Sequence, residues 1–361
     1  MKRRDFVHYS ALAIGSLTFA GCRTWKSTAN SYVKHPFRDR LKPVGRMLET
    51  EGYYVWGGSP IYGEDGRVHL FYSRWPEEYG MGGWIHQSEI AHAVADHPEA
   101  PFRHQATILS PRGEGYWDGS TCHNPHIKKV DGRYALFYMG NSNRKTDTKR
   151  IGLALSDSLE GPWVRPEEPL LGAGAPGAWD DHCTTNPSFV RHPNGQYWLY
   201  YKSWNTFEYE NYTDPKIRGN RKYGLAIADR LEGPYVKYEG NPVLNYSDRG
   251  NNTQAEDGFV WQEDGLFHML LRDMGFFNHQ YGLHLTSPDG LHWSAPEIAY
   301  YDTDHYFVQP PKPKHLSKYG RFERPQILFK DERPDYLFLA SQGGQFMTSS
   351  GFVFQLDECY F

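Results

Sequence analysis

The sequence predicts an all-β fold, a five-bladed β-propeller whose blades are four-stranded antiparallel sheets. Two observations carry this prediction. A short motif that opens an apolar run occurs five times, with its third residue at Pro60, Pro125, Pro187, Gly258 and Pro325, 62 to 71 residues apart. Each copy is followed in the same order by a tight turn, an aromatic-rich strand and further short strands. Four strands in a repeat of this length are typical of propeller blades.

Tight turns mark the second strand of four repeats. The strands Arg67–Tyr72, Arg133–Tyr138, Gln196–Tyr201 and Leu266–Leu271 each follow an Asp-Gly or Asn-Gly pair. These pairs favour hairpins because they accept the positive φ angles of primed turns. The third strand leads into Glu-Gly-Pro-aromatic at 160–163 and 232–235, and a short fourth strand closes each unit.

The N-terminus has the features of an export signal. A basic start that contains Arg3 and Arg4 precedes an apolar stretch too short to span a bilayer, so residues 1–21 are expected to be a twin-arginine-like signal peptide. The run Phe19-Ala20-Gly21-Cys22 resembles a bacterial lipobox and predicts lipidation of Cys22. The alternative is a plain signal peptide in which Cys22 is incidental. We expect a tether over 22–45, a propeller over 46–361 and a periplasmic or cell-surface lipoprotein.

The composition excludes several classes of protein. The chain has 361 residues, 39 Lys plus Arg, 43 Asp plus Glu and a net charge of −4, so no basic excess is available to hold nucleic acid. An aromatic content of 16% argues against general disorder. Cys122, Cys183 and Cys359 lack metal-ligand spacing. Cys122 and Cys183 occupy equivalent repeat positions, which allows a disulfide, although two buried thiols are the expected state.

The repeats resemble the five-bladed glycosidase superfamily, which includes glycoside hydrolase families 43, 32, 62, 117 and 130. The resemblance covers roughly residues 50–361 and is carried by Ser156–Trp163, Ala228–Tyr235 and Glu323-Arg324-Pro325. The run His86–Asp96 resembles family 117. The resemblance implies an active site on the propeller axis, where carboxylates from the innermost strands converge. Families 43 and 117 further imply an inverting reaction.

Carboxylates at the strand openings are the candidate catalytic groups, because glycoside hydrolysis usually needs a pair of carboxyl groups. Glu256 is expected to be the general acid, since the adjacent Asp257 would raise its pKa. The family 43 base corresponds to Ser59 here, so Asp181 or Asp118, from two Trp-Asp loops, is expected to replace it. Glu323 is the fourth candidate. Turn capping by the aspartates, and pairing of Glu323 with a neighbouring arginine, are the alternatives.

The expected substrate-binding residues come from the same openings and loops: Trp56, His86, His123, His182, Asp257, Arg272 and Arg324. Tryptophan faces stack on sugar rings, and the charged groups would orient hydroxyls. No His and Asp spacing indicates a metal centre. We expect no required cofactor, although a structural cation on the propeller axis fits this architecture.

These observations favour an exported glycoside hydrolase that cleaves an oligosaccharide derived from a plant or algal polysaccharide. Two alternatives stay open at this point. One is a glycoside phosphorylase, for which Arg272 and Arg324 are the phosphate-binding candidates. The other is a non-catalytic saccharide-binding propeller that lost its base at Ser59. Beyond the N-terminal lipid anchor, a saccharide is the only partner that we expect.

Overall fold

Five antiparallel sheets make up the structure, a computed structural model that describes residues 36–212, 214, 219–249 and 253–357. The five-bladed propeller predicted from the repeats is confirmed. The predicted signal peptide and Cys22 lie outside the described residues. Among the residues described, no helix is long and apolar enough to cross a membrane.

The strands follow one another through the blades in chain order, apart from the first. Strand β1 (Leu41–Leu48) belongs to the last blade. The others are β2 (Tyr53–Tyr62), β3 (Val68–Pro76), β4 (Glu89–Ala95) and β5 (Arg103–Leu109) in blade 1; β6 (Thr121–Val130), β7 (Arg133–Asn141) and β8 (Arg150–Ser156) in blade 2; β9 (Thr185–Arg191), β10 (Tyr197–Ser203), β11 (Lys222–Ala228) and β12 (Val236–Lys237) in blade 3; β13 (Gln254–Glu263), β14 (Leu266–Met274), β15 (Gly282–Ser287) and β16 (Glu297–Tyr300) in blade 4; and β17 (Glu323–Lys330), β18 (Arg333–Gly343) and β19 (Thr348–Leu356) in blade 5.

Two blades have a reduced outer strand. In blade 2 the fourth strand is represented by the isolated bridges Ile151–Leu171 and Leu155–Val164. In blade 3 the strand β12 has only two residues. The insertion after β10 begins with helix α1 (Thr206–Asn211), which starts where the Asn205 side chain accepts a hydrogen bond from the Glu208 backbone. A second short helix among the described residues, α2 (Thr303–Tyr306), precedes blade 5.

The N-terminal strand closes the ring of blades. Strand β1 pairs antiparallel with β19, from Leu41 opposite Leu356 to Leu48 opposite Gly351. Phe37, in the 3-10 turn Phe37–Arg40, is buried against Trp261 of blade 4. The tether predicted over 22–45 is therefore wrong for its last residues. The propeller includes residues 37–48, because this segment supplies the outer strand that blade 5 lacks.

The core lies mainly between neighbouring blades. Phe137 of blade 2 stacks on Phe189 of blade 3, with ring centroids 4.9 Å apart, in a cluster that continues through Leu199 and Tyr201. Similar clusters of buried apolar side chains fill the other blade contacts. Each innermost strand thus has a fixed position relative to the next, which makes the axis a rigid place for polar side chains.

Each innermost strand has one residue in the left-handed conformation near its start. These residues are Gly57, Asn124, Asn186, Asp257 and Arg324, with φ between 52° and 59°. All five lie at interruptions of the pairing with the second strand, between Trp56 and Ser59, His123 and His126, Thr185 and Ser188, Glu256 and Phe259, and Glu323 and Gln326. This recurring bulge turns the preceding residue of each blade towards the axis.

Candidate active site

A cavity of about 290 Å³ lies at the end of the propeller where the inner strands begin. Each blade contributes the residue that precedes its left-handed position: Trp56, His123, Thr185, Glu256 and Glu323. The remaining lining is made by Met81, Trp84, Asn124, Thr146, Lys149, Asn186, Lys202, Trp204, Tyr209, Arg221, Asp257, Arg272, Met274, Lys318, Arg321 and Arg324. The cavity therefore collects side chains from all five blades.

Amide and carboxylate side chains connect the blades beneath this cavity. Asn124 Nδ2 donates to Asn186 Oδ1 at 2.9 Å, and Asn186 Nδ2 donates to Asp257 Oδ1 at 2.8 Å. The Arg324 backbone donates to Asp257 Oδ2 at 3.2 Å, and its Nη1 lies 3.6 Å from Oδ1. Asp257 therefore links Asn186 of blade 3 to Arg324 of blade 5 beneath the cavity. The Arg324 side chain places a positive charge beside Asp257, in the region of the propeller axis for which the sequence analysis considered a structural cation.

Glu256 is surrounded by three cations. Its Oε1 accepts a hydrogen bond from Lys202 Nζ at 2.5 Å and lies 3.5 Å from Arg221 Nε, while its Oε2 accepts from Arg272 Nη1 at 3.0 Å. Burial alone would raise the pKa of Glu256, but these cations outweigh burial and hold the pKa well below its usual range. Glu256 is therefore ionised. The sequence-based assignment of Glu256 as general acid does not fit this environment, because Asp257 is bound to other partners while cations surround Glu256.

Glu323 enters the cavity from the neighbouring blade and shares Arg272 with Glu256. Its Oε1 accepts from Arg321 Nε at 2.5 Å and lies 3.5 Å from Arg272 Nη1, and its Oε2 lies 3.7 Å from Lys318 Nζ. Burial raises the pKa of Glu323, the three cations lower it more, and the charge of Glu256 raises it again, so that the net direction is downward. The anticipated arginine pairing is present, but it occurs inside the cavity.

Asp118 does not line the cavity. Its buried carboxylate accepts from Arg112 Nε at 2.6 Å, from Arg165 Nη1 at 3.1 Å and from the Tyr138 hydroxyl at 2.8 Å. The preceding Trp117 stacks on the Tyr138 ring. Asp118 thus joins its loop to strand β7, and its position does not fit the sequence-based assignment as the base, because all its contacts are within blade 2 and its loops.

Asp181 is also outside the cavity and caps a turn. It accepts backbone hydrogen bonds from Gly177 at 2.8 Å and from Thr206 at 2.6 Å, which fixes the loop against the start of α1. Its neighbour Asp180 repeats the role of Asp118 in blade 3, with Tyr201 and Lys237 as partners. Turn capping, the alternative considered from the sequence, therefore explains Asp181, and we do not retain Asp181 as the candidate base.

Ser59 is not the blade 1 counterpart of Glu256. The pairing places Trp56 opposite Ser73, as Glu256 is opposite Arg272, whereas Ser59 lies three residues further along the strand. Ser59 is buried, donates to Gln326 Oε1 at 3.2 Å and accepts from the Ile127 backbone at 3.0 Å. Blade 1 thus offers the Trp56 indole to the cavity at the position where blade 4 offers Glu256.

Only one of the three candidate histidines lines the cavity. His123 does so, and it contacts the Ser88 hydroxyl at 2.8 Å and the Trp84 ring at 5.5 Å. His182 is buried under the insertion, where it stacks on Trp204 and bonds Thr146. His86 packs edge-on against Tyr79. The sequence predicted histidines near the cavity, but it did not show which of them faces the cavity and which ones pack inside the loops.

Five basic residues of the cavity were not among the candidates: Lys149, Lys202, Arg221, Lys318 and Arg321. Lys202 is the last residue but one of the aromatic strand β10 and lies opposite Thr185, as Arg272 lies in β14 opposite Glu256. A charged residue near the end of an otherwise apolar second strand was therefore the signal that could have identified Lys202, whereas Arg272, in the matching place of blade 4, was already a candidate.

The two cysteines that the structure describes are separate thiols. Cys122 and Cys183 are both buried and unpaired, so the alternative of a disulfide between repeats is wrong. Burial raises the pKa of both thiols. Within the described ranges, no group of three or more His, Cys, Asp or Glu side chains could hold a metal ion.

Comparison by sequence identifies no relative, since no family model and no curated protein matches this chain. Comparison with solved structures finds proteins of similar fold. Zg3597, a family 117 glycoside hydrolase from Zobellia galactanivorans, superposes with a TM-score of 0.63 and 18% identity, over 88% of this chain and 90% of that chain.

Two further solved structures have a similar fold. A BT0996 RGII complex gives a TM-score of 0.66 at 13% identity, with 90% of this chain and 94% of that chain covered. A GH43_1 enzyme from Xanthomonas citri gives 0.57 at 15% identity, with 89% and 92% covered. This chain has the fold of the propeller glycoside hydrolases. The resemblance seen in the sequence is thereby confirmed at the level of fold.

Proposed function

We propose that this protein is an exported glycoside hydrolase that acts on an oligosaccharide from a plant or algal polysaccharide. The observation that carries the proposal is the convergence of Glu256 and Glu323, from neighbouring blades, on one cavity. Trp56, Trp84 and Trp204 line the same cavity and offer ring faces for sugars. A carboxylate pair beside an aromatic-lined cavity has the composition that glycoside cleavage requires.

The environments of the two carboxylates support different roles. Glu256 has its pKa held well below the usual range by Lys202, Arg221 and Arg272, against the opposing effect of burial, which suits a nucleophile that must be ionised. The pKa of Glu323 is also lowered, by Arg272, Lys318 and Arg321, but less far than that of Glu256, because the charge of Glu256 opposes the shift. Glu323 is therefore the one of the two that holds a proton more readily, and we assign it the acid role. Glu256 would attack the anomeric carbon while the glycosidic bond breaks and Glu323 protonates the leaving oxygen. Glu323 would then take a proton from the water that releases the sugar.

The spacing of the two carboxylates is compatible with this course. Glu256 Oε2 and Glu323 Oε1 lie 3.0 and 3.5 Å from the same nitrogen, Arg272 Nη1, so these oxygens are at most 6.5 Å apart. Inverting enzymes use separations of about 6.5–9.5 Å, and retaining enzymes about 5–5.5 Å. The bound concerns only the two oxygens that face Arg272 and reaches the lower limit of the inverting range, so the spacing fits both courses. We propose retention of anomeric configuration, in place of the inversion that the family resemblance implies, because Glu256 is ionised and can act as the nucleophile. NMR of the first product formed tests this directly.

The test of the roles uses Glu256→Gln and Glu323→Gln on a glycoside with a natural leaving group and on its nitrophenyl counterpart. Both variants should lose about a hundredfold or more in kcat on the natural substrate. Only Glu323→Gln should recover on the nitrophenyl glycoside, because a good leaving group needs no acid, and azide should accelerate it further. Glu64→Gln, at an exposed ion pair, is the control. Full activity of either cavity variant on the natural substrate would remove that residue from the mechanism.

A glycoside phosphorylase is the second candidate, because seven basic side chains line the cavity and one phosphate would find partners there. The two activities differ in one requirement. A phosphorylase forms a sugar phosphate only when phosphate is present, whereas a hydrolase releases free sugar without it. Binding of saccharide without either product would instead favour the non-catalytic alternative.

Export is proposed from the N-terminal sequence, through lipidation of Cys22. A Cys22→Ala variant should move from the membrane fraction to the soluble periplasmic or secreted fraction. Retention of the variant on the membrane at the parent level would show that another anchor is used.

A further inference from the structure

The cavity contains more positive than negative charge. Its lining includes seven basic side chains, Lys149, Lys202, Arg221, Arg272, Lys318, Arg321 and Arg324, and three carboxylates, Glu256, Asp257 and Glu323. The chain as a whole has a net charge of −4, so this excess is local. Burial of charge without a counter-charge is costly, and such an excess indicates that an anion binds there.

Lys149 is the cavity cation without an ionic partner. It is 3% exposed, and no ion pair forms between it and any carboxylate of the described residues. Its Nζ lies 4.4 Å from the centroid of the Trp204 ring and 5.8 Å from that of Trp84. The ammonium group is thus held between two aromatic rings at the cavity wall, where a ligand can reach it.

Arg324 has unused hydrogen-bonding capacity. It is 2% exposed, and its Nε and Nη2 have no hydrogen-bond partner among the described residues, although its Nη1 lies near Asp257. A Cβ at position 57 would lie 3.3 Å from Nε, so the glycine there keeps space beside the guanidinium. Buried N–H groups without partners are rare in folded proteins and are expected to be satisfied by a ligand or water.

His123 shows that these cations act on one region of the cavity. Its pKa is held well below the usual range, first by burial and then by Arg324, Lys149, Lys318 and Lys202. Four cations therefore lie near one neutral imidazole at the cavity wall. An anionic group placed beside His123 would be attracted by all four.

We propose that the saccharide bound in this cavity carries an anionic group, the carboxylate of a uronic acid or a sulfate ester, and that Lys149 and Arg324 bind that group. The inference rests on the proposed function for the identity of the site, but binding itself requires no turnover. A neutral sugar would leave Lys149 buried without a counter-charge and Arg324 with unpaired N–H groups. An oxyanion satisfies both.

The test measures binding by calorimetry at pH 7 with the full-length mature protein. The probes are oligogalacturonate and alginate oligosaccharides for carboxylates, carrageenan oligosaccharides for sulfate, and inorganic phosphate. Each saccharide is paired with its carboxyl-reduced or desulfated neutral counterpart. We expect at least one anionic saccharide to bind at least tenfold more tightly than its neutral counterpart.

Variants assign that preference to the cavity. Lys149→Met should abolish the preference, and Lys149→Arg should restore most of it. Lys128→Met is the matched control, because Lys128 also lies over two aromatic rings, Phe259 and Phe329, but lines a different cavity. It should bind as the parent does.

Three results would overturn the inference: equal binding of neutral and anionic forms, no binding of any anionic saccharide, or a preference that Lys149→Met leaves unchanged. Phosphate binding alone, with turnover only when phosphate is present, would also overturn it and favour the phosphorylase. Tight anionic binding without hydrolysis would leave this inference intact and contradict the proposed hydrolase instead.

Discussion

Single residues separate the cavity carboxylates from the structural ones. Glu256 and Asp118 are both acids near strand openings, and both pair with two or more cations. Only Glu256 lines the cavity, whereas Asp118 bonds the Tyr138 hydroxyl within its own blade. Residue type could be predicted from the sequence, but the direction of a loop side chain depends on tertiary packing that the Trp-Asp motif alone does not reveal.

We predict that Asp118→Asn destabilises the protein without removing activity. The change leaves Arg112 and Arg165 without their buried counter-charge, which should cost about 3 kcal/mol in the free energy of unfolding. Urea unfolding measures the loss, and kcat of the remaining folded protein should match the parent. A folded, stable and inactive variant would return Asp118 to the catalytic candidates.

The affinity for an anionic saccharide should fall as pH rises above about 8. Burial and the neighbouring Lys202 and Arg221 lower the pKa of Lys149 to about 8, although Cys183 and Glu256 act in the opposite direction. Lys149 is therefore charged below that pH and loses its proton above it. The Kd should rise by up to tenfold per pH unit, because one proton is linked to binding.

Lys149→Arg is the control for this pH profile, since arginine stays charged throughout the range. The Kd of this variant should be flat across pH 7–9. If the variant keeps the full dependence, another group, such as the buried Lys202, is responsible. The neutral counterpart of the same saccharide should show no dependence in either protein.

At the scale of elements, the sequence predicted the second strands well because their turns are local. The Asp-Gly and Asn-Gly pairs precede β3, β7, β10 and β14, as expected. The start of blade 1 was less predictable. Gly57 and Gly58 both tolerate unusual φ, so the sequence did not show that the bulge lies at Gly57 and that Trp56 faces the cavity. The fourth strand of blade 5 comes from β1, a pairing that no local pattern indicates.

The third strand of a blade needs glycine where an aromatic ring covers it. A Cβ at Gly152 would lie 2.4 Å from Trp117 Cη2. In blade 3, Gly224 faces the ring of Trp179, and in blade 4, Gly282 faces the ring of Tyr300 at the end of β16. We predict that Gly152→Ala lowers the free energy of unfolding by about 1–3 kcal/mol through overpacking. Thermal and urea unfolding would measure this.

Gly172→Ala is the matched control, because position 172 is exposed and a Cβ there has nothing within 4 Å. It should change stability little. Equal stability of both variants and the parent would show that the Trp117 ring can move aside, and that the Trp-Asp loop is not held against the blade.

At the scale of the whole molecule, closure of the ring depends on the N-terminal strand. A chain that begins at residue 49 lacks β1, which leaves β19 as an open edge and exposes the surface that Phe37 and Leu48 cover. We predict that this chain fails to unfold cooperatively or aggregates. A chain that begins at residue 36 retains every described strand and should melt as the mature protein does. A cooperative melt at the same temperature for both would contradict the closure.

The most direct test of the account is chromatography of the sugars released from the anionic oligosaccharides, by the parent protein and by Glu256→Gln, in phosphate-free buffer. The account predicts that the parent releases free sugar from at least one uronate-containing or sulfated substrate, and that the variant releases about a hundredfold less or none. Equal release by both proteins, or no release by the parent from any substrate, would contradict the assignment of this cavity as a glycosidase site.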